Sequence, residues 1–98
     1  LMDTVPAAAL EKQIRGILNQ NTAIREVQEV QAHRFGPYLV INVTIAIDGS
    51  LTLTQGDAIA TQIEQDLTRA IALVRRVYVH YHPVGSPRSQ SAGTTSIS

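Results

Sequence analysis

The stretch VYVHYHPVG, Val77 to Gly85, places two imidazoles two residues apart on a run with strand character. Histidine is a common ligand for first-row divalent cations and the side chain that most readily changes charge near neutral pH. Side chains alternate along a strand, so Val77, Val79 and Tyr81 point one way and Tyr78, His80 and His82 the other. His80 and His82 therefore stand side by side on one surface. Three readings fit such a pair: a metal site, a pH-sensitive patch, or two ordinary solvent-facing residues. Pro83 supplies no N–H, which suits a strand that stops pairing beside the pair.

Other chemistry is sparse. No serine sits in a nucleophile-elbow context, no glycine-rich phosphate loop follows a strand, and the acids form no evident pair. A His-x-His with one acid could hold a hydrolytic metal, but no general base accompanies it. The chain is therefore read as a non-enzyme. Its eight Lys and Arg balance eight Asp and Glu, so the net charge is zero and no basic face is left to grip nucleic acid. Cysteine is absent, which removes disulfides, thiolate metal sites and thiol-based metal carriage, and fits a reducing compartment.

Ninety-eight residues suit one small domain with a modest core. No apolar run approaches the roughly 20 residues that span a bilayer, and no signal peptide is visible. The abrupt opening LMDTVP, with no initiator methionine, is what an excised domain is expected to show.

The elements that must position the histidines follow from periodicity. A helix is expected from about Val5 to Asn19, with Asp3 or Thr4 as N-cap, Pro6 in the first turn, and Leu10, Ile14, Ile17 and Leu18 on one stripe. Its charges Glu11, Lys12 and Arg15 read as a solvated face with i,i+4 support. Ile24 to Gly36 reads as a polar, half-exposed strand, and FGPY as a hairpin turn. LVINVTIAI then alternates strictly, with Leu39, Ile41, Val43, Ile45 and Ile47 facing one way and Val40, Asn42, Thr44 and Ala46 the other.

A second helix starts at LTQGD. Thr54 and Asp57 have capping-box spacing, Leu53 is the expected staple, and the apolar stripe is Ile59, Ile63, Leu67, Ala70 and Ile71. RRVYVHYH forms the last strand. From Gly85 onward the small, polar, aperiodic residues read as a disordered tail, so the division is a domain over 1–84 and a tail over 85–98. The order α-β-β-α-β predicts an α+β, two-layer, ferredoxin-like sandwich: a three-stranded sheet with two helices on one face. Its other face, carrying Asn42, Thr44, His80 and His82, is left for water or a partner.

LMDTVP, FGPYLVINVTIAIDGSLTL, GDAIATQIEQDL and VYVHYHP, in that order, resemble the cytosolic C-terminal domain of cation diffusion facilitator (cation efflux) transporters. The likeness covers about Leu1 to Pro83. It implies an α-β-β-α-β domain that homodimerises, sits on the cytoplasmic side of a membrane after the transmembrane domain of the same polypeptide, and binds divalent cations that draw two protomers together. It implies metal-ligand roles for His80 and His82 in the last strand and for Asp57 near the start of the second helix. Two further positions of the family pattern match Gln28 and Thr44, neither a usual ligand, so a reduced site is expected, completed by water or the partner protomer. His33 lies outside the pattern.

Each residue also has a plainer role. Asp57 can serve as a cap alone, His80 and His82 as surface residues, and Tyr78 and Tyr81 as packing or interface groups. Imidazole and carboxylate suit zinc foremost, and also iron, manganese, cobalt or nickel. The functional expectation is thus a regulatory, metal-sensing dimerisation domain of an efflux transporter. The alternative is a free-standing ferredoxin-like interaction module that pairs through its open sheet face without metal.

Overall fold

The computed structural model describes residues 7–84, folded as α1 (Ala7–Leu18), β1 (Ile24–Phe35), β2 (Tyr38–Asp48), α2 (Leu53–Ala70) and β3 (Val74–Val84). The sheet order is β1-β2-β3, with β2 antiparallel to β1 and parallel to β3. This is the expected α-β-β-α-β sandwich, with a mixed sheet. The expected caps Asp3 and Thr4, Pro6, and the tail from Gly85 lie outside the described residues.

Both helices cover the same sheet face. Leu10, Ile14 and Leu18 of α1 and Ile63 and Leu67 of α2 are buried against Leu39, Ile41, Val43, Ile45 and Ile47. The 3.6-residue period of each helix and the two-residue period of β2 thus meet in one core. Ile17 and Ile59 pack at its margin, whereas Ala70 faces solvent at the end of α2 and Ile71 takes the buried place after it. Glu11 and Arg15 form the i,i+4 pair on the outer face of α1 at 3.1 Å.

The β1–β2 hairpin closes at Gly36–Pro37. Gly36 has φ of 59°, in the left-handed region open to glycine, while proline fixes the next φ negative; of the primed hairpin turns only type II′ has that sign pattern. The register slips twice along β1, between Ile24 and Glu26 and between Val27 and Glu29, so Arg25 and Gln28 are bulge residues.

Helix α2 begins differently from expectation. Its N-cap is Thr52, not Thr54: the Gln55 N–H donates to Thr52 Oγ1 at 3.1 Å and the Thr52 N–H donates to Gln55 Oε1 at 2.9 Å. Thr52 keeps extended backbone, and the longer glutamine at the third helical position reaches back where an aspartate would fall short. Leu53 is no staple, being 81% exposed; Leu51 tucks against the core instead.

Candidate metal centre

The uncovered sheet face is laid out in rows by strand register. From the hairpin inward, Phe35 pairs with Tyr38; His33, Val40 and Arg76 form the next row; then come Gln31, Asn42 and Tyr78; then Glu29, Thr44 and His80; then Glu26, Ala46 and His82. Alternation in β3 holds as expected, with Val77 buried, Val79 and Tyr81 half-buried, and Tyr78, His80 and His82 exposed. His80 and His82 are neighbours two residues apart on one strand face, about 7 Å between Cα atoms.

Glu29 has no place in the sequence pattern, yet the structure sets it beside His80. It lies across Thr44 from His80, and Glu29, Gln31, Asn42, Thr44 and His80 line one recess of about 170 Å³. Gln31 Nε2 donates to Glu29 Oε2 at 2.9 Å, leaving Oε1 toward other partners. Gln28, the position matched by family pattern, sits in the bulge and is displaced from this row. The signal was present in VQEV: Val27 and Val30 both pack on the core, and apolar residues three apart cannot share a face of a regular strand. His33 lies two rows beyond Thr44, about 13 Å along the strand, outside the reach of a common cation.

Asp57 is elsewhere. It is in the first turns of α2, on the helix-covered side, and its Oδ1 accepts a 2.8 Å hydrogen bond from the Tyr81 hydroxyl. Tyr81 is in register with core-facing Ile45, so its ring leaves β3 on the side opposite His80 and His82. The bond to the carboxylate, then burial, hold the Tyr81 phenol above the usual tyrosine range. Gly56 permits this approach, since a Cβ there would stand 2.9 Å from the Tyr81 ring. One protomer therefore brings His80 and His82 together and holds Asp57 apart from them. Among the described residues no group of three His, Asp or Glu is close enough to hold a metal ion. The open face carries imidazole and carboxylate with a hydroxyl and an amide beside them, donor types that suit divalent cations.

Residues 6–84 match a family model described as "Cation efflux protein, cytoplasmic domain". The manganese efflux system protein MneP of Bacillus subtilis (strain 168) is 25% identical over 83 residues, which are 85% of this chain and 28% of that protein. The chain thus spans little more than a quarter of that relative's length. Among solved structures, the metal-bound C-terminal domain of the CzcD transporter from Thermotoga maritima has a TM-score of 0.75 at 17% identity, over 86% of this chain and 100% of that one. The cytosolic domain of a cation diffusion facilitator family protein has a TM-score of 0.74 at 18% identity, over 80% and 93% of the two chains. Those two structures share the fold, and the family match takes in every described element. The chain belongs to the family of cation efflux protein cytoplasmic domains.

Proposed function

We propose that the chain is the regulatory domain of a divalent-cation efflux transporter, joined to a transmembrane domain of the same polypeptide on the cytoplasmic side of the membrane. In this reading it binds a first-row cation at the His80–His82 end of its open sheet face, homodimerises around that site, and tunes transport by favouring one arrangement of the two protomers. The observation that carries it is the row Glu29–Thr44–His80 with His82 beside it, which puts two imidazoles and a carboxylate on an otherwise unpartnered surface.

His80, His82 and Glu29 are the proposed ligand residues of one protomer; they are too far apart to hold a cation by themselves, so Asp57 of a second protomer is the proposed completing group. A C2 arrangement repeats such a site twice, because the contact of one protomer's histidine face with the other's α2 start recurs with the roles exchanged. Asp57 keeps Oδ2 clear of its bond to Tyr81, so it accepts a cation without releasing the tyrosine. The bound cation would neutralise the facing carboxylates and hold the two chains together.

Nitrogen and oxygen donors without sulfur admit zinc, manganese, iron, cobalt and nickel. The manganese efflux relative makes manganese the natural competitor of zinc in a first titration. A second reading, pairing without metal, is favoured by the lack of a complete ligand set within one protomer among the described residues.

Calorimetric titration with zinc and with manganese, beside sedimentation velocity, separates the two. Saturable binding that strengthens the dimer and is lost in His80→Ala/His82→Ala supports the metal reading. A dimer whose stability ignores both cations, or unchanged affinity in the double variant, supports the metal-free one.

A further inference from the structure

The end of the sheet farthest from His82 has a composition that the metal reading leaves unused. Among the described residues the large exposed apolar side chains are Phe35, Tyr38, Leu53, Leu73 and Tyr78, and three of the five gather at the hairpin end. Phe35 and Tyr38 are its closing pair, and the Leu39 N–H donates to the Leu73 carbonyl at 2.8 Å, which fixes the α2–β3 loop beside them. Phe35 is 63% exposed and Leu73 55%, so neither contributes its apolar surface to the core. Leu73 also has φ of 72°, a strained conformation for a branched side chain that burial in this chain does not offset.

Cations surround these groups. Arg34 shares a row with Leu39 and Val74, Arg76 shares one with Val40, and the Arg75 guanidinium lies 4.5 Å over the Tyr38 ring. None of the three arginines forms an ion pair among the described residues. The carboxylates of Glu26, Glu29 and Asp48 lie on the rows toward the other end of β2. A chain of zero net charge, from which no basic face was expected, thus carries a basic, aromatic tip opposite an end where Glu26, Glu29 and Asp48 outnumber Arg25, the partner of Asp48.

We propose that this tip is a contact surface for an anionic lipid leaflet. Tyrosine and phenylalanine seat at the level of lipid headgroups, and arginines beside them are drawn to anionic lipid. The hairpin end offers two exposed aromatic rings and the arginines beside them together, the pairing of groups that suits an anionic headgroup layer. The chain's family is that of domains attached to cation efflux proteins, and such a tether keeps the tip within reach of a bilayer at high effective concentration. The proposal rests on the membrane attachment proposed above and not on the metal ligands, so loss of metal binding leaves it standing.

The test is co-sedimentation of the 98-residue chain with vesicles of phosphatidylcholine alone and of phosphatidylcholine with about one-third phosphatidylserine, at low salt and millimolar lipid. Partition onto the serine-containing vesicles is expected to exceed that onto neutral ones by at least tenfold, and to fall as salt is raised. Arg76→Gln should lower it about fivefold and Arg75→Gln/Arg76→Gln about 25-fold, from the attraction of each basic side chain near an anionic surface. Phe35→Ser should lower it at low and high salt alike. Lys12→Gln, which removes one charge from α1, should leave it unchanged, and circular dichroism checks that each variant is folded. Equal partition onto both vesicle types, no partition onto either, or equal effects of Arg76→Gln and Lys12→Gln would overturn the proposal. So would tip variants that change the sedimentation of the free chain without changing its partition, because the tip would then be a protein interface.

Discussion

The Tyr81 hydroxyl donates a 2.8 Å hydrogen bond to Asp57 Oδ1, tying the first turns of α2 to the strand that carries His80 and His82. Gly56, one residue before Asp57, lets the ring lie against the helix, where a Cβ would meet it at 2.9 Å. Two opposing effects therefore act at position 56. Alanine gains roughly 1 kcal/mol of helix propensity over glycine, while forcing a carbon into an occupied place costs roughly 1–3 kcal/mol. Gly56→Ala is expected to destabilise the chain by about 1 kcal/mol in urea unfolding. The same change made in a Tyr81→Ala background is expected to stabilise it, because the obstacle is gone; an unchanged sign in that background would contradict the close approach.

The capping box makes a separate, local prediction. Thr52→Ala should cost about 1 kcal/mol, since it removes the acceptor for the Gln55 N–H. Thr54→Ala, at the position where spacing alone puts the cap, should fall within about 0.5 kcal/mol of wild type. The reverse order in chemical unfolding would move the helix start by two residues.

The bulge at Gln28 predicts which β1 residue affects a bound cation. Glu29→Ala is expected to weaken zinc or manganese binding by roughly tenfold or more, and Gln28→Ala to leave it unchanged. Titration calorimetry on the two variants is the check. A larger effect from Gln28 would mean that the strand slips by one residue when the site is filled.

Asp48 sets an acid limit on stability. Hydrogen bonds from the Ser50 backbone N–H and hydroxyl, at 2.8 Å each, and then the charge of Arg25, hold its carboxyl below the usual value of 3.8. A carboxyl with a depressed value in the folded state contributes stability that is fully present above the unfolded value and is lost as pH falls through the folded one. Asp48→Asn is thus expected to be less stable than wild type at pH 7, with the difference shrinking once the pH drops below about 3.8. Urea midpoints measured from pH 7 down to 2.5 would show it, and a constant difference across that range would exclude Asp48 as the source.

Much of the architecture is settled by sequence alone because it depends on periods. Strict alternation from Leu39 to Ile47 puts all the leucine and isoleucine of β2 on one face, and the spacing of Leu10, Ile14 and Leu18, like that of Ile63 and Leu67, gives each helix one face to match it, while on the other face only the small Ala46 is fully buried. The same alternation places His80 and His82 together, since neighbours two apart on a strand share a face whatever the rest of the chain does. Tertiary structure decided three things that no local pattern carries. Register between strands determines that Glu29, and not Gln28, stands across from Thr44 and His80, because a bulge shifts every later pairing and its position depends on how Val27 and Val30 both reach the core. The side of the sheet on which α2 packs determines that Asp57 meets Tyr81 rather than the histidines. The parallel return of β3 beside Leu39 determines that Leu73 and Arg75, far along the chain from Phe35 and Tyr38, end beside them, since a strand crossing over through a helix must re-enter at the same end of the sheet.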